Sequence, residues 1–394
     1  MRSMRVAVIS HGYPPYYARA GGVATYTYNL THALARKGID VTVYTGGPVP
    51  NVERQRNLTI HRLPHLMGSH VPPNFLWFQL RHLKLLLSEL AQFDIIHSQG
   101  TQGSISALAK QKSKTKWVVT FHASQIREVS SMMSTSIGQW SATDVLTNLI
   151  GTPIWEFLYR VDTKYADHYF GVGSLIRDYM NLYNIDNSKL TVIRNGIDLK
   201  EMQELSGNAE SGSEPNTIIF FGRLYVRKGV DLLVKAMKSV IKRKNDAKLK
   251  IFGDGPQKPR LRSLIDELDL SRNVTLEGFV SREEVVSEMK RCAAVVYPTL
   301  YEAQSTSVLE AMACHTPVIG FNVPTMKEIV SHMRTGYLVE PMDPEKLGDG
   351  ICALLNDEGL RRRLGDAAYD YVRENHDWAN LVEKYIETYD SVLQ

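Results

Sequence analysis

The chain alternates short runs of apolar residues with longer stretches in which apolar residues recur at every third or fourth position. Residues 6–9 form a continuous apolar run, which is the pattern of a strand buried on both faces of a parallel sheet. Between Val23 and Leu34 the apolar residues recur at helical spacing, and Gly38 follows as a stop. Val41 and Val43 then alternate with polar residues as the next strand. This succession predicts an α/β fold.

The same alternation continues through both halves of the chain. Further strands are predicted at residues 59–63, 94–97, 117–121, 168–172, 190–193, 218–221, 249–252, 274–276, 294–297, 318–319 and 337–339. Helices are predicted at residues 229–241, 347–355, 360–373 and 378–393. Residues 205–216 are small, polar and without periodicity, so we predict that they form part of a linker. Because the alternation restarts after them, the sequence indicates two doubly wound α/β domains.

The composition narrows the class of protein. A length of 394 residues favours two domains, and 43% apolar with 22% charged residues excludes wholesale disorder. The net charge of +4 suits an anionic ligand or a membrane surface, but there is no basic stripe to indicate nucleic acid. No apolar run predicts a signal peptide or a membrane span. Cys292, Cys314 and Cys352 lack metal-binding spacing, so we expect buried thiols in a cytoplasmic protein.

Two loops early in the second half carry the residue types that bind phosphates. In residues 220–229 a strand runs into Gly222 and Arg223, and Lys228 stands at the start of a helix, so two cations and a helix dipole can flank a diphosphate. The alternative is that both cations are solvated surface charges. In residues 253–256, Gly253 and Gly255 permit a tight turn and close approach of the backbone to a ligand.

A third loop in the second half combines two carboxylates with a helix N-terminus. Glu302 follows a predicted strand, and Glu310 lies eight residues later within a helix. The small and hydroxyl residues between them leave free amides at the helix N-terminus, where an anion can bind. The two carboxylates can accept hydrogen bonds from the hydroxyls of a sugar and of a ribose. The alternative is a capped amphipathic helix with a solvated glutamate at either end.

Two features of the first half also lie where strands end. Gly21 and Gly22 stand at a helix N-terminus after a strand, but they do not belong to a Gly-x-Gly-x-x-Gly fingerprint, so no dinucleotide site is predicted. His122 directly follows the strand at 117–121. Its position at a carboxyl end favours a functional role about as much as a structural one.

The ordered set of these motifs resembles the retaining glycosyltransferases of family four, which have the GT-B fold. The resemblance covers the Gly-Gly loop, the strand-end histidine, Asn-Gly-Ile-Asp at 195–198, Gly-Arg-Leu with Lys-Gly at 222–229, Gly-Asp-Gly-Pro at 253–256, and Glu302 with Glu310. It implies two Rossmann-like doubly wound domains facing an interdomain cleft. The first, residues 1–198 with 376–394 returning to it, would be the acceptor side. The second, residues 199–375, would bind the nucleotide sugar.

The resemblance also implies a role for each motif residue. Arg223 and Lys228 would hold the donor diphosphate, Glu302 the hydroxyls of the donor sugar, and Glu310 the ribose. His122 would touch the donor sugar near the reacting carbon. The remaining donor-binding residues would be Gly21, Gly22, Gly222, Gly253, Gly255, Phe279, Val280, Gln304, Ser305 and Thr306, with 277–284 lining the base pocket and 304–306 offering backbone amides to a phosphate. Ser305 and His315 replace glycines that are usual in the family, which leaves the donor identity open.

The implied activity is metal-independent transfer of a hexosyl group, with retention, from a UDP- or GDP-linked sugar to a hydroxyl of a glycan or lipid-linked acceptor. No cofactor is implied besides the nucleotide sugar. An epimerase or hydrolase on the same fold, or a non-catalytic sugar-nucleotide-binding regulator, are the alternatives. For residues 71–87 core packing is favoured over contact with a membrane. Any such contact would be peripheral, at the inner membrane face. Residues 124–161 would form a region that binds the acceptor. The oligomeric state stays open.

Overall fold

The computed structural model describes residues 3–15, 22–64, 72–107, 113–122, 151–173, 176–207, 212–302 and 304–394. Within these residues the chain forms two compact units. Unit 1 contains the residues up to Gly196 together with Trp378–Gln394, and unit 2 is Ile197–Asp377. Within the described residues the chain therefore passes from unit 1 to unit 2 after Gly196 and returns to unit 1 at Trp378.

Unit 1 is built on a sheet of eight described strands. The strands are β1 (Arg5–Ile9), β2 (Asp40–Gly47), β3 (Asn51–Gln55), β4 (Leu58–Pro64), β5 (Ile95–Gln99), β6 (Lys116–Phe121), β7 (His168–Gly171) and β8 (Leu190–Val192). The helices are α1 (Gly22–Arg36), α2 (Pro72–Glu89), α3 (Ser104–Ala107), α4 (Thr152–Tyr165), α5 (Ile176–Leu182) and, from the segment after unit 2, α14 (Trp378–Leu393). The order across the sheet is β3-β4-β2-β1-β5-β6-β7-β8, and only β3 is antiparallel to its neighbour.

Unit 2 has six described strands, all parallel. They are β9 (Glu214–Phe221), β10 (Lys248–Phe252), β11 (Val274–Gly278), β12 (Cys292–Tyr297), β13 (Val318–Phe321) and β14 (Tyr337–Val339). The helices are α6 (Leu199–Gly207), α7 (Val230–Arg243), α8 (Lys258–Glu267), α9 (Arg282–Arg291), α10 (Thr306–Ala313), α11 (Pro324–Lys327), α12 (Pro344–Asn356) and α13 (Glu358–Asn375). The order β11-β10-β9-β12-β13-β14 is that of a Rossmann fold.

The cores explain why the apolar runs located the strands. Val6, Ala7 and Val8 of β1 are fully buried, and so are Ile218 and Ile219 of β9, because each central strand is covered on both faces. All the strands predicted from the sequence are present, with boundaries that differ by a few residues at most. The predicted helices are also present, and α14 has the predicted boundaries. The prediction of α/β alternation in both halves is confirmed.

Two features differ from the predictions. Strand β3 was not predicted, because it is a polar edge strand; it pairs with β4, and Glu53 accepts a hydrogen bond from the buried Arg62 at 2.6 Å. The linker prediction for 205–216 is wrong at both ends, since α6 extends to Gly207 and β9 begins at Glu214. Glu214 is held there by Lys250, 2.9 Å away, and by Arg291 at 2.5 Å.

Helix α14 completes the core of unit 1. Trp378 is 1% exposed, and Tyr385 and Tyr389 are fully buried. The hydroxyl of Tyr385 is hydrogen-bonded to that of Tyr26 in α1. These contacts attach the residues after unit 2 to the body of unit 1.

Helix α2 contains most of the 71–87 segment and packs by one face. Phe78, Gln79, His82 and Leu86 are each 1% exposed, which confirms core packing for that face. None of the described helices is long and apolar enough to cross a membrane. In the other segment, 124–161, residues up to 150 lie outside the described residues, and α4 begins at Thr152.

The three cysteines are free thiols. Cys314 and Cys352 are buried as predicted, and Cys292 is half-buried. Burial raises the pKa of each thiol, for Cys314 to about 12. They are therefore protonated at neutral pH, which is the state of structural and not reactive cysteines.

Candidate functional site

The strand order of unit 2 brings two of the predicted loops together. Strands β9 and β12 are neighbours, with β10 on one side and β13 on the other, so the order of connection reverses between them. The loops at the carboxyl ends of two such strands enclose the usual ligand crevice of a doubly wound sheet. One loop, 222–229, carries Arg223 and Lys228, and the other, 298–305, carries Glu302. A backbone hydrogen bond joins them, in which the amide of Leu300 donates to the carbonyl of Arg227 at 2.8 Å.

Lys228 is a buried cation. It ends the short helical turn Val226–Lys228 before α7, and its residue exposure is 6%. Its Nζ donates to the hydroxyl of Tyr297 at 2.9 Å and to a carboxylate oxygen of Glu302. Gly229 follows in the left-handed region at φ 64°, where a Cβ would overlap the carbonyl oxygen of Pro298. The alternative of a solvated surface charge is therefore wrong for Lys228.

Glu302 is the anionic centre of this cluster. It also accepts from Arg227 at 3.3 Å, a residue that the sequence analysis did not single out. Burial acts to raise the pKa of Glu302, but Lys228 and Arg227 outweigh it and hold that pKa at about 2. An ionised carboxylate can only accept hydrogen bonds. Glu302 therefore presents acceptor oxygens at neutral pH, consistent with binding of hydroxyls.

Arg223 differs from the other two cations. It follows β9 and Gly222, is half-buried, and lies with its guanidinium 5.6 Å from the ring centre of Tyr225. Within the part of the chain that the structure describes, no carboxylate lies within ion-pair distance of it. A half-buried guanidinium on an aromatic ring, with its charge unpaired, is suited to bind an anion.

The glycines of the 253–256 turn allow two loops to meet. Gly253 has φ 129°, and a Cβ there would overlap the carbonyl oxygen of Gly222. A Cβ on Gly255 would lie 2.6 Å from the carbonyl oxygen of Leu224. The amide of Leu224 donates to the backbone carbonyl of Asp254 at 2.9 Å. At both glycines the backbone therefore approaches the neighbouring loop 222–229. This contact fixes the backbone around Arg223.

Helix α10 begins directly after the second loop. Gln304 and Ser305 are each 4% exposed, and Ser305 stands at the N-cap without a side-chain cap hydrogen bond. Thr306 is the first helical residue and is half-buried. The first amides of a helix have no partner within it and favour negative charge. This end of α10 lies three residues beyond Ala303, which is outside the described residues.

Glu310 has a partner that the sequence analysis missed. Its carboxylate lies 3.2 Å from Arg282 at the start of α9, and Arg282 also pairs with Glu201 of α6 at 2.7 Å. Burial raises the pKa of Glu310, and Arg282 opposes the rise. Because the side chain is only 14% exposed and paired, the alternative of a solvated glutamate is wrong at this position.

A third loop joins the same edge of the sheet. Phe279 and Val280 follow β11, where the carbonyl of Gly278 accepts from the amide of Gly253 at 2.6 Å. Phe279 is 49% exposed, which is unusual for a large apolar side chain, and Val280 is half-buried. The exposed side chain of Phe279 therefore follows directly on the strand end that is hydrogen-bonded to the 253–256 turn.

In unit 1 the structure places His122 against α1. Its ring lies 4.6 Å from that of Tyr26, one turn into the helix that begins at Gly22. Its Nε2 is hydrogen-bonded to Oε1 of Gln99 at 2.8 Å, and Gln99 ends the neighbouring strand β5. Burial lowers the pKa of His122 to about 3, so the ring is neutral and donates through Nε2. Gln99 was not predicted, and Gly21 lies outside the described residues.

A second histidine is buried behind the first. His97 of β5 is fully buried between the Tyr389 hydroxyl, 2.6 Å away, and the Thr120 hydroxyl, also 2.6 Å away. Burial lowers its pKa to about 3, and His122 adds to the shift. Because Tyr389 belongs to α14, this hydrogen bond holds the returning helix to the sheet.

The buried His97 makes unit 1 sensitive to acid. Its pKa falls from 6.5 to about 3 on folding, so below pH 6.5 the unfolded chain takes up a proton that the folded chain does not. As the pH falls below 6.5, the free energy of unfolding should decrease by about 1.4 kcal/mol per pH unit because of this group. The loss should be complete near pH 3. In His97→Asn the slope between pH 6 and pH 4 should be smaller by about that amount. Urea unfolding followed by tryptophan fluorescence, to which the buried Trp117 and Trp378 contribute, measures it.

The matched control is His315→Asn. It removes a histidine of unit 2 whose side chain is 52% exposed and contacts Asp366, so it shows what the loss of an exposed histidine does to the same measurement. A His97→Asn slope equal to that of the unmodified protein would contradict the assignment of a neutral buried ring.

A cavity of about 500 Å³ in unit 2 lies away from these loops. It is lined by Cys292, where β12 begins, and by Thr316 and Pro317, which precede β13. It therefore opens at the amino ends of the strands, opposite the edge that carries Glu302. Its lining includes Arg291 and His315, which contact Glu214 and Asp366 respectively. The convergence of cations and amides, and not this cavity, marks the candidate site.

Two family matches adjoin and together span residues 20–371. Residues 20–201 match the family described as Glycosyltransferase Family 4, and residues 201–371 match Glycosyl transferases group 1. The second match contains the loops that carry Arg223, Lys228 and Glu302, and the first contains His122.

The similarity to individual proteins extends over whole chains. An uncharacterized glycosyltransferase of Methanocaldococcus jannaschii is 26% identical over 99% of this chain and 99% of its own length. Sucrose-phosphate synthase from Thermosynechococcus elongatus aligns with 99% of each chain at a TM-score of 0.79 and 21% identity. The Anabaena protein HepE, in complex with UDP-glucose, aligns over 98% of this chain and 100% of its own at a TM-score of 0.71 and 16% identity. These likenesses confirm the GT-B fold with its two Rossmann-like domains. The chain is a GT4-type glycosyltransferase, in which a segment of Glycosyltransferase Family 4 is followed by a segment of Glycosyl transferases group 1.

Proposed function

We propose that the protein moves a hexosyl group from a nucleoside-diphosphate sugar to a hydroxyl acceptor, with retention at the anomeric carbon and without a metal ion. The observation that carries the proposal is the cluster at the carboxyl ends of β9 and β12. There Lys228 is held by Glu302 and Tyr297, and Arg223 stands nearby on the same loop without a carboxylate partner among the described residues.

The cluster fits the charge that develops during transfer. As the bond between the anomeric carbon and the diphosphate oxygen breaks, negative charge grows on the leaving nucleoside diphosphate. Arg223, Lys228 and the amides at the start of α10 would stabilise that charge. Preorganised donors at such a position are worth roughly a hundredfold or more in rate. In this proposal the cations do the work of a metal ion.

Retention follows if the acceptor attacks the face from which the phosphate leaves. The acceptor oxygen would form its bond to the anomeric carbon, and the acceptor proton would pass to an oxygen of the departing phosphate. This route needs no covalent nucleophile on the protein. Glu302, ionised and accepting, would bind donor-sugar hydroxyls beside Lys228, and Glu310 would bind the ribose.

The roles of the unit 1 residues rest on the family resemblance. His122 is neutral, so it would contact the donor sugar as a hydrogen-bonding group and not as a cation. Gly22 would lie near a phosphate at the start of α1. The acceptor is proposed as a glycan or lipid-linked hydroxyl compound, on the family resemblance alone.

A UDP-linked sugar is the first donor to test, because the similar HepE structure was solved with UDP-glucose. In a thermal-shift screen of UDP, GDP and ADP and their sugar conjugates in the presence of EDTA, we expect uridine ligands to raise the melting temperature most. A ligand at about a hundred times its Kd adds roughly 2.7 kcal/mol to the stability of the folded state. A response only to guanosine ligands would change the donor and keep the site.

Two results would contradict the proposal. No stabilisation by any nucleotide would remove the diphosphate site, and stabilisation that EDTA abolishes would contradict metal independence. Product analysis with candidate acceptors then separates the activities: a glycoside supports transfer, free sugar indicates a hydrolase, and an isomerised donor indicates an epimerase. Binding with no turnover against any acceptor would favour a sugar-nucleotide-binding regulator.

A further inference from the structure

The outward face of α2 is apolar and basic. Opposite the buried Phe78 and His82, Trp77 is 52% exposed, Leu80 is 50% exposed and Leu87 is 46% exposed. These three residues are spaced by three and seven positions, so they lie on one side of the helix. Packing against the sheet accounts for the buried face only, and leaves these large apolar side chains in contact with water.

Basic residues accompany the apolar ones on this face. Arg81 and Lys84 are exposed between Leu80 and Leu87. The guanidinium of Arg81 lies 5.1 Å from the ring centre of Trp77 and donates to the carbonyl of Pro64 at 3.0 Å. The aromatic ring and the cation are therefore held together. Among the described side chains of α2, the single acidic residue is Glu89, which is half-buried and bonded to Tyr44.

Helix α4 lies on the same face of the sheet as α2. Both α2 and α4 pack against α3, and the connections β4–β5, β5–β6 and β6–β7 all step in one direction across the sheet, so their helices lie on one face of it. On α4, Phe157 is 65% exposed, and Arg160 and Lys164 are also exposed. Glu156 of this helix is half-buried and bonded to Tyr183.

We infer that these two helices form a surface that docks onto a bilayer of anionic lipids. We call it the aromatic–basic face, and it consists of Trp77, Leu80, Arg81, Lys84, Leu87, Phe157, Arg160 and Lys164. Tryptophan and phenylalanine partition into the interfacial layer of a bilayer, and exposed cations among them attract anionic headgroups.

The positive charge of the aromatic–basic face favours an anionic bilayer over a second copy of the chain as its binding partner. A two-fold pairing of the face with itself would place four cations against four. A neutral apolar partner would leave the same cations uncompensated at its surface. An anionic bilayer compensates every cation and also accepts the exposed aromatic rings. The inference does not depend on the sugar chemistry of unit 2.

Vesicle flotation with the full chain tests the inference. We expect the protein to float with vesicles of phosphatidylcholine and phosphatidylglycerol, less with phosphatidylcholine alone, and less again as salt screens the headgroups. The double variant Trp77→Ser/Phe157→Ser should bind the anionic vesicles at least about tenfold more weakly. The double variant Arg81→Glu/Lys84→Glu should lose the preference for the anionic vesicles.

Matched controls separate this surface from net charge and general apolar exposure. Lys238→Glu/Lys242→Glu changes two exposed cations of α7 in unit 2 by the same amount of charge, and Val52→Ser removes an apolar side chain that is 42% exposed on the edge strand β3. Both controls should bind as the unmodified protein does. Melting temperatures identify any variant that fails to fold, and Arg81→Lys/Lys84→Arg, which keeps the charge, should retain binding.

The inference is overturned if the protein fails to bind either kind of vesicle. It is also overturned if the α7 charge pair weakens binding as much as the α2 pair. Retention of an acidic protein from solution by the unmodified chain, with no vesicle binding, would replace the bilayer by a protein partner.

Discussion

Replacing Lys228 with methionine is expected to lower the turnover number for sugar transfer by roughly a hundredfold or more. The buried Nζ of Lys228 is held by Tyr297 and Glu302 beside the start of α7, so its charge is fixed before the leaving diphosphate develops charge of its own. Methionine keeps the apolar stem but removes the cation. The measurement is the initial rate at saturating donor and acceptor, once the donor screen has identified a substrate.

The control for this variant is Lys235→Met. Lys235 lies on α7 with its side chain 40% exposed and pairs with Asp231 at 3.4 Å, so its loss should leave the rate nearly unchanged. Arg223→Ala is expected to reduce the rate on the same scale as Lys228→Met. A rate close to that of the unmodified protein in Lys228→Met would remove this residue from the catalytic machinery.

A double variant tests whether Lys228 and Glu302 contribute to the rate as one unit. Glu302 loses its closest partner in Lys228→Met and keeps Arg227 at 3.3 Å. Because Lys228 and Glu302 act as one hydrogen-bonded unit, Lys228→Met/Glu302→Gln should be little slower than the slower single variant. Multiplying effects would indicate that the two side chains act separately.

Gly253→Ala is expected to destabilise unit 2 by about 3 kcal/mol or more. The φ of 129° is unfavourable for any side chain, and the new Cβ would overlap the carbonyl oxygen of Gly222. The overlap is with backbone, so no rotamer change relieves it. Urea unfolding followed by far-ultraviolet circular dichroism measures the loss, and the nucleotide-induced rise in melting temperature should shrink with it.

Gly359→Ala is the matched control. Gly359 lies in the first turn of α13, and the nearest atom to an added Cβ is a carboxylate oxygen of Asp357 at 3.4 Å. Alanine is preferred to glycine in a helix, so this variant should be unchanged or slightly more stable. Equal stability of Gly253→Ala and the unmodified protein would mean that the loops around Gly222 can separate without cost.

Strands that are buried on both faces could be predicted from the sequence, because they are continuous runs of apolar residues. Strand β1 is an example, and helix α14 was located by apolar residues that recur at helical spacing. Strand β3 was not predictable in this way, because Asn51, Arg54 and Gln55 are exposed and its stability comes from pairing with β4. The end of the linker was mistaken for a similar reason: the polar start of β9 is held by ion pairs and not by apolar contacts.

The sequence predicted which residues belong to the candidate site, but not which of their side chains contact one another. Lys228 and Glu302 are 74 residues apart, and only the adjacency of β9 and β12 brings them into contact. The sequence does not state that adjacency, so Arg227 received no more weight than any other arginine. Gln99 was missed because its importance lies in facing His122 across neighbouring strands. The glycines were located correctly, but the backbone that they approach became clear only from the fold.

The interruption of unit 1 by unit 2 has a consequence for biosynthesis. Unit 2 begins and ends at the same place, where the amide of Ile197 donates to the carbonyl of His376 at 2.7 Å, so it is topologically an insertion. A ribosome completes the insertion before it makes residues 378–394, which fill the core of unit 1 with Trp378, Tyr385 and Tyr389. Until residues 378–394 are synthesised, the nascent unit 1 therefore has an unfilled core face beside α1, while unit 2 is already free to fold. During that interval the unfilled core face is accessible to chaperones and proteases.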